Sequence, residues 1–161
     1  MCTGSGCIAI SLAKEYLKAT IDATDISSKA LSVAKKNAIK LKCNKQINFI
    51  KCDLINKIQV YDVVISNPPY LSNLEYKKVS NDIQLFEPKK ALVAAKRGFY
   101  FYYEIAKILP NLLESQSMAF LEIGSKQGKK VKDIFSVTNL YSLKIAKDIQ
   151  ILDRLIIIKK S

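Results

Sequence analysis

One segment of the sequence, Tyr61-Asp62-Val63-Val64-Ile65-Ser66-Asn67-Pro68-Pro69-Tyr70, combines a short apolar run with a double proline. Residues 63–65 are all β-branched, which predicts a short buried strand. The strand cannot continue through Pro68 and Pro69, because proline has no backbone N–H and fixes its φ angle. The sequence therefore predicts a strand that ends in a rigid turn, with the short polar side chain of Asn67 at the junction.

A turn of this composition can bind a planar amino group. In an open α/β sheet, ligands bind beside the carboxyl ends of the strands. There, the side-chain oxygen of Asn67 and the backbone carbonyl of Pro68 can accept both hydrogens of an –NH2 group, which localises the nitrogen lone pair for in-line attack without a strong base. Tyr70 can cover the flat face of the substrate. The alternative is that residues 67–69 only end the strand.

A glycine-rich turn stands at the start of the chain. Thr3-Gly4-Ser5-Gly6-Cys7 leads directly into an amphipathic helix predicted from about residue 6 to residue 18. Glycines at such a place let the backbone turn tightly and approach a ligand closely. Two glycines in this spacing are weak support for a ligand site when they stand alone.

Two acidic residues follow predicted strands downstream of this turn. Asp25 ends the strand predicted over residues 19–25, at the spacing of about twenty residues at which a carboxylate reaches the ribose hydroxyls of a nucleoside cofactor. Asp53 follows the next strand and can accept a hydrogen bond from the adenine amino group of that cofactor. Alternatively, Asp25 caps the following helix, a role that Ser27 or Ser28 can also fill, and Asp53 is a surface turn residue.

Strands alternate with helices along the chain, which indicates an α/β doubly wound sheet. Residues 71–90 are predicted to be polar and irregular, with a short helix near 75–79. Pro110 should kink or restart the long helix predicted from Gly98. The other expected elements are a helix at 27–41, a strand at 46–52, the long helix at 98–115, a strand at 118–123, a helix at 126–135, and an antiparallel pair at 143–149 and 150–158.

Length and composition suit one globular domain comprising residues 1–161, because 49% of the residues are hydrophobic and 25% are charged. No apolar run is long enough to span a bilayer, and the start lacks the basic segment of a signal peptide, so a cytoplasmic protein without membrane partners is expected. The chain has no histidine, which excludes a Ser-His triad. The four cysteines match no zinc or redox spacing, so free thiols and no metal are expected.

The formal net charge of +12 raises the question of a nucleic-acid partner. The basic residues are nearly all lysines scattered along the chain, with only Arg97 and Arg154 as arginines. A recognition surface would favour arginine, whose guanidinium forms forked hydrogen bonds. The charge is therefore interpreted as a general enrichment in lysine, and nucleic acid is not the expected substrate.

Asn67 to Tyr70 resembles the NPPY motif of S-adenosylmethionine-dependent methyltransferases that act on amide or exocyclic amine nitrogens. The segment Phe86-Glu87-Pro88-x-x-Ala91-Leu92-Val93-Ala94 is similar to the one that follows this motif in the HemK-type protein-glutamine methyltransferases. DNA adenine methyltransferases share the motif but usually lack that segment. Asp153-Arg154 also resembles the closing pattern of the HemK-type family. The whole chain thus resembles the catalytic domain of that family, which modifies class-1 peptide-chain release factors.

The resemblance implies methyl transfer from S-adenosylmethionine to the side-chain amide nitrogen of the glutamine in a release factor's Gly-Gly-Gln motif. The residues that it assigns to the cofactor are Thr3, Gly4, Gly6, Asp25, Asp53 and Asn67. Those that it assigns to the substrate are Asn67, Pro68, Pro69 and Tyr70, of which Asn67, Pro68 and Tyr70 are the catalytic candidates.

The chain departs from the family pattern at its beginning. The family has a hydrophobic strand with an acidic residue before the glycine turn, whereas only Met1 and Cys2 precede Thr3 here. The resemblance therefore implies a Rossmann-like methyltransferase sheet with a C-terminal antiparallel hairpin, in which the first, central strand is largely missing. That strand would lie between the strands ending at Asp25 and Asn67. The family's N-terminal helical domain is also absent, so we expect a truncated product or a missing part on another chain.

Two other functions are compatible with the sequence. One is a methyltransferase that acts on the amino group of adenine or guanine in nucleic acid, which should carry segments for base recognition and base flipping. No such segment is evident. The other is an inactive truncated remnant, which the incomplete first strand favours over an ordinary binding module.

Overall fold

The computed structural model describes residues 1–55 and 59–161. The chain divides into two compact units, Met1–Lys57 and Ile58–Ser161. Each unit contains one β-sheet.

The first unit is a β-α-β arrangement preceded by a helix. Its two strands are parallel and run in register from the pair Ile21 and Ile47 to the pair Asp25 and Lys51. A helical crossover between parallel strands is what this connection requires. The elements are α1 (Cys7–Glu15), β1 (Ile21–Asp25), α2 (Ser28–Lys40), a 3-10 helix (Asn44–Gln46) and β2 (Ile47–Lys51).

Both helices of this unit pack against the two-stranded sheet. The buried core consists of small and branched residues, with Ile21 and Phe49 partly buried beside it: Ala9, Ile10, Ala13, Ala23, Ala38, Cys43 and Ile47. The predicted helix at 6–18 is correct in type but ends earlier, at Glu15. Tyr16 and Leu17 fall within the predicted range but lie beyond the last turn of the helix, and their side chains are exposed.

The second unit contains a four-stranded sheet with the strand order β3-β4-β6-β5. β3 and β4 are parallel, whereas β6 is antiparallel to both of its neighbours. The predicted C-terminal antiparallel hairpin is therefore confirmed. The elements are β3 (Tyr61–Ser66), α3 (Asn73–Tyr76), α4 (Asn81–Phe86), α5 (Lys89–Leu92), a 3-10 helix (Lys96–Gly98), α6 (Tyr100–Ile108), a 3-10 helix (Leu109–Asn111), β4 (Leu113–Glu122), α7 (Gly128–Ser136), β5 (Tyr141–Lys147) and β6 (Asp153–Lys160).

α7 packs against β5, β6 and α6, which places the core of this unit between the sheet and the two longer helices. The fully buried side chains include both aromatic and branched residues: Tyr102, Ile105, Leu109, Leu113, Leu121, Ile123, Val131, Phe135, Ile156 and Ile158. Hydrophobic burial of this kind is the main stabilising contribution in a domain of this size.

Three predictions for this unit are wrong in detail. Residues 71–90 are less irregular than predicted: α3 overlaps the short helix expected near 75–79, but α4 and the start of α5 also lie there, and their short length hides the helical period. The long helix predicted to residue 115 ends at Ile108. Pro110 lies in a separate 3-10 helix, in line with the expected restart, and β4 already begins at Leu113. Val63 is 48% exposed, so β3 is not buried throughout.

β1 is an edge strand of the two-stranded sheet, and β3 is an edge strand of the four-stranded sheet. These are the strands that end beside Asp25 and Asn67, between which the resemblance places the first strand of the family. Within the described residues, β1 pairs with no strand but β2, and β3 with no strand but β4. The mixed α/β architecture agrees with the predicted fold class.

No helix among the described residues is long and apolar enough to cross a membrane. In the same part of the chain, no group of three or more acidic or cysteine side chains is arranged to hold a metal ion.

Candidate active site

The glycine turn of the first unit adopts a backbone that favours glycine at two positions. Gly4 has φ +54° and Gly6 has φ +87°, in the left-handed region that other residues rarely adopt. A methyl group on Gly4 would meet no atom within 4 Å, so the backbone is open on that side. On Gly6 it would lie 2.9 Å from the Cβ atom of Ala34, which shows that α2 packs directly against the turn.

Asp25 holds this turn in place. Its Oδ2 atom accepts a hydrogen bond from the Gly4 N–H at 2.9 Å, and its Oδ1 atom accepts one from the Ser27 N–H at 2.8 Å. Ser27 is the N-cap of α2, because its hydroxyl accepts from the Ala30 N–H at 3.2 Å. Asp25 is therefore not the helix cap, but it is also not free of backbone contacts. Each carboxylate oxygen retains a second lone pair that can accept from a ligand hydroxyl.

Asp53 lies just beyond the carboxyl end of β2 and is exposed. The turn around it is tied to β1, since the Thr24 hydroxyl donates to the Leu54 carbonyl at 2.6 Å. The Cys52 N–H donates in turn to the Asp25 carbonyl at 3.2 Å. Because β1 and β2 are parallel, Asp25 and Asp53 are presented at the same edge of the sheet. An open glycine backbone beside two carboxylates suits a ligand rich in hydroxyl and amino groups.

In the second unit, β3 ends at Ser66 and the turn that follows exposes Asn67. The rings of Pro68 and Pro69 are buried, so the turn is fixed both by its own dihedral angles and by packing. None of the hydrogen bonds described for residues 1–55 and 59–161 involves the Asn67 side chain. Its amide oxygen is thus available to accept a hydrogen from a ligand.

Tyr70 is half-buried, and its hydroxyl donates to Glu122 Oε1 at 3.2 Å. Glu122 is the last residue of β4, the parallel neighbour of β3. Burial and the Glu122 carboxylate both raise the pKa of the Tyr70 phenol above its usual value. The phenol therefore stays neutral and acts as a hydrogen-bond donor, with its ring held by the end of the adjacent strand.

The backbone after Tyr70 is paired with the segment 91–94. The Leu71 N–H donates to the Leu92 carbonyl at 2.9 Å, and the Ala94 N–H donates to the Leu71 carbonyl at 2.9 Å. These bonds form an isolated parallel bridge between Leu71 and Val93. Phe86, the first residue of the segment 86–94 that resembles the HemK-type family, is 81% exposed and takes no part in this pairing.

A buried glutamine lies behind the turn. Gln127 precedes α7 and is only 6% exposed. Its Nε2 atom donates to the Tyr70 carbonyl at 2.8 Å, and its Oε1 atom accepts from the Gly124 N–H at 3.0 Å. Tyr102 donates from its hydroxyl to the Glu122 carbonyl at 2.9 Å and lies 3.3 Å from Gln127 Oε1. Burial raises the pKa of this phenol well above its usual value.

Gly98 completes this arrangement. It has φ +89°, and a methyl group added to it would overlap the Tyr70 carbonyl oxygen and crowd Gln127 Nε2 at 2.9 Å. Only glycine therefore fits at this position.

The sequence-predicted residues fall into two groups. Gly4 and Asp25 are in direct contact in the first unit, and Asp53 lies at the same sheet edge. Asn67 to Tyr70 form the second group, in the second unit. Sequence reasoning missed Glu122, Gln127 and Tyr102, because nothing in their local pattern distinguishes them from ordinary strand, loop and helix residues. The one available signal was Gly98, a glycine within an otherwise aromatic and helical segment.

Comparison with known proteins identifies relatives along almost the whole chain. A release factor glutamine methyltransferase of Fusobacterium nucleatum is 36% identical over 99% of this chain and 46% of its own length. The enzyme of the same name from Lactococcus lactis is 39% identical over 98% of this chain and 58% of its own length. A bifunctional methyltransferase of Rickettsia prowazekii is 42% identical over 83% of this chain. The chain thus spans about half the length of the release factor glutamine methyltransferases that it matches, and the resemblance is confirmed.

Solved structures agree on the fold. A methyltransferase from Pyrococcus furiosus superimposes with a TM-score of 0.71 at 18% identity, over 99% of this chain and 72% of its own. The hMettl16 catalytic domain in complex with a 3′UTR hairpin gives a TM-score of 0.71 at 20% identity, over 99% and 61% of the two chains. The family model described as the methyltransferase small domain matches residues 1–94. Because this match includes the glycine turn, both acidic residues and the Asn-Pro-Pro-Tyr turn, and covers more than half of the sequence, the chain belongs to the methyltransferase small domain family.

Proposed function

We propose that this protein transfers a methyl group from S-adenosylmethionine to the side-chain amide nitrogen of the glutamine in the Gly-Gly-Gln motif of a peptide-chain release factor. The observation that carries the proposal is the exposed Asn67 amide on a rigid, buried proline turn at the carboxyl end of β3. Acceptors fixed in this way suit an –NH2 group, whose lone pair must be directed at the methyl carbon.

In this proposal, the chain contributes to catalysis by orienting the substrate amide. The Asn67 side-chain oxygen and the Pro68 carbonyl accept the two amide hydrogens, and Tyr70 covers the flat face of the amide. With S-adenosylmethionine bound, the nitrogen held by Asn67 and Pro68 would take the methyl group from the sulfonium sulfur and would give up one proton to water. The neutral phenol of Tyr70 is not required as a base.

The first unit fits the proposed cofactor. Asp25, already oriented by two backbone N–H groups, can accept from ribose hydroxyls, and Asp53 can accept from the adenine amino group. Thr3, Gly4 and Gly6 provide the turn that the cofactor would approach, and Asn67 is the remaining residue that the resemblance assigns to the cofactor. When bound, S-adenosylmethionine supplies an electrophilic methyl group on a sulfonium. In this proposal residues 1–161 act as one methyltransferase domain.

The choice of release factor as substrate is supported by the names of the relatives, which are 36% and 39% identical over nearly the whole chain. A release factor substrate also places the reaction in the cytoplasm. Methylation of a nucleic-acid amino group and an inactive remnant remain the competing proposals, of which the first is suggested by the net charge of +12.

The test begins with binding of S-adenosylmethionine to the 161-residue chain, measured by calorimetry alongside thermal unfolding. Binding should raise the melting temperature, because a ligand that binds only the folded state stabilises it. The loaded protein is then incubated with labelled cofactor and either a release factor, a release factor with Gly-Gly-Gln changed to Gly-Gly-Ala, or nucleic acid. Label on the unaltered release factor alone supports the proposal. Label on nucleic acid supports the first alternative, and binding without any transfer supports an inactive remnant.

A further inference from the structure

We infer that Gln127 is a positioning residue for the Asn-Pro-Pro-Tyr turn, and that it acts through the backbone carbonyl of Tyr70. This inference rests on the proposed methyl transfer to an amide, and it assigns a role to a side chain outside the motif. Gln127 lies 57 residues from Tyr70 in sequence, yet its Nε2 atom donates to the Tyr70 carbonyl at 2.8 Å.

The orientation of the Gln127 amide is fixed by its neighbours. Its Oε1 atom accepts from the Gly124 N–H and lies 3.3 Å from the Tyr102 hydroxyl, whose proton is shared with the Glu122 carbonyl, whereas its Nε2 atom donates to the Tyr70 carbonyl. A glutamine provides both an acceptor and a donor at one end of its side chain, while a glutamate carboxylate can only accept. The 6% exposure of Gln127 keeps water from replacing these bonds.

The Tyr70 carbonyl is in contact with two other segments of the second unit, at Gln127 and at Gly98. A methyl group on Gly98 would overlap the Tyr70 carbonyl oxygen, so the backbone of residue 98 packs directly against it. The Leu71 amide is bonded to Leu92, and the Tyr70 hydroxyl is bonded to Glu122. Because Gln127 is the N-cap residue of α7, its hydrogen bond joins the turn to that helix, and therefore to the core of the second unit.

The consequence for catalysis concerns the acceptors next to Tyr70 in sequence. The Pro68 carbonyl and the Asn67 side chain can direct an amide lone pair only if the turn does not shift, because catalysis by orientation is lost with displacements of about 1 Å. The buried proline rings restrict the local dihedral angles, and Gln127 fixes the position of the turn as a whole. Neither contribution replaces the other.

The experiment uses Gln127→Glu, with Gln116→Glu as the control because Gln116 is exposed in β4 and undergoes the same change of charge. Steady-state methylation of the release factor is measured against pH, well below the melting temperature of each variant. We expect kcat of Gln127→Glu to fall about 10- to 100-fold at neutral pH, with little change in the Michaelis constants of cofactor and release factor. Activity should recover as pH falls, because only the protonated carboxyl can donate to the Tyr70 carbonyl.

The wild-type protein carries the same nearby titratable groups, Glu122, Asp153, Tyr70, Tyr102 and Arg154, and is therefore the reference for their own pH dependence. A purely structural role would lower the melting temperature without creating a new acid-side recovery of kcat. That result would overturn the inference, as would equal behaviour of Gln127→Glu and Gln116→Glu.

A second variant, Tyr102→Phe, retains the packing of the ring and removes the hydroxyl that faces Gln127 Oε1. We expect a smaller fall in kcat, without the recovery at low pH. Hydrogen exchange of the Leu71 amide provides a readout that needs no activity: Gln127→Leu should speed it about tenfold relative to Gln116→Leu. If the wild-type protein methylates no release factor, the proposed function fails, and this exchange rate alone decides whether Gln127 holds the turn.

Discussion

At the scale of the residue, Asn67 is the side chain on which the proposed chemistry depends most. Asn67→Ala should lower turnover about 100-fold, the usual effect of removing one fixed polar group from a transition-state site. Because the side chain is exposed and makes no hydrogen bond among the described residues, its loss should leave the fold and S-adenosylmethionine binding nearly unchanged. Kinetics and calorimetry check this, with exposed Asn111→Ala as control. Equal loss of turnover and cofactor binding would show that Asn67 serves the cofactor or the fold.

A second prediction at this scale concerns Tyr141 in β5. Its hydroxyl is buried and has no hydrogen-bond partner among the described residues, and burial raises the pKa of the phenol to about 12. Tyr141→Phe should therefore raise the free energy of unfolding by about 1 kcal/mol. In the wild-type protein, the neutral phenol contributes stability that is fully present below pH 10 and is lost as pH rises through about 12.

Denaturant unfolding at pH 7 and between pH 10 and 12 tests both statements about Tyr141. The variant should lose less stability than the wild-type protein over the alkaline range. Tyr16→Phe is the matched control, since Tyr16 is 64% exposed. A Tyr141→Phe protein that is less stable at pH 7 would mean that the hydroxyl has a partner in solution.

At the scale of the element, the glycine turn before α1 offers a matched pair of substitutions. Gly4 and Gly6 both have positive φ angles, so alanine is strained at either position by about 1–2 kcal/mol. Only at Gly6 would the new methyl group crowd α2, at 2.9 Å from Ala34 Cβ. Gly6→Ala should therefore destabilise the protein by about 1–3 kcal/mol more than Gly4→Ala, the usual effect of overpacking. Denaturant unfolding measures the difference, and equal effects would show that α2 does not pack against the turn in solution.

At the scale of the whole molecule, 26 basic residues stand against 14 acidic ones, a net charge of +12. Two side-chain ion pairs are described, Lys107 with Glu104 and Arg154 with Asp148, and both include partly exposed groups that contribute little. The remaining positive charges repel one another, and this repulsion is screened within about 10 Å at 0.1 M salt. The melting temperature should therefore rise as sodium chloride increases from about 10 mM to 0.2 M. A melting temperature that falls over this range would show that attractive pairs dominate.

Sequence and structure agree best where a feature depends on neighbours in the chain. The end of β3, the N-cap at Ser27, the restart at Pro110 and the C-terminal hairpin were all predictable, because proline geometry, capping and apolar periodicity act over a few residues. Of the short helices in residues 71–90, only the one near 75–79 was predicted, since one turn or two of helix leaves no period to detect.

By itself, the sequence determined the α/β order of elements and the identity of the turn that carries Asn67. Only the tertiary structure decided what holds that turn. Gln127 and Glu122 each form a hydrogen bond with Tyr70, and Tyr102 forms one with Glu122. These bonds join residues that are 20 to 57 positions apart in the sequence. Local propensity carries no information about such partners. Their positions are set by the packing of α6 and α7 against the sheet, where a buried polar group must find a complementary one.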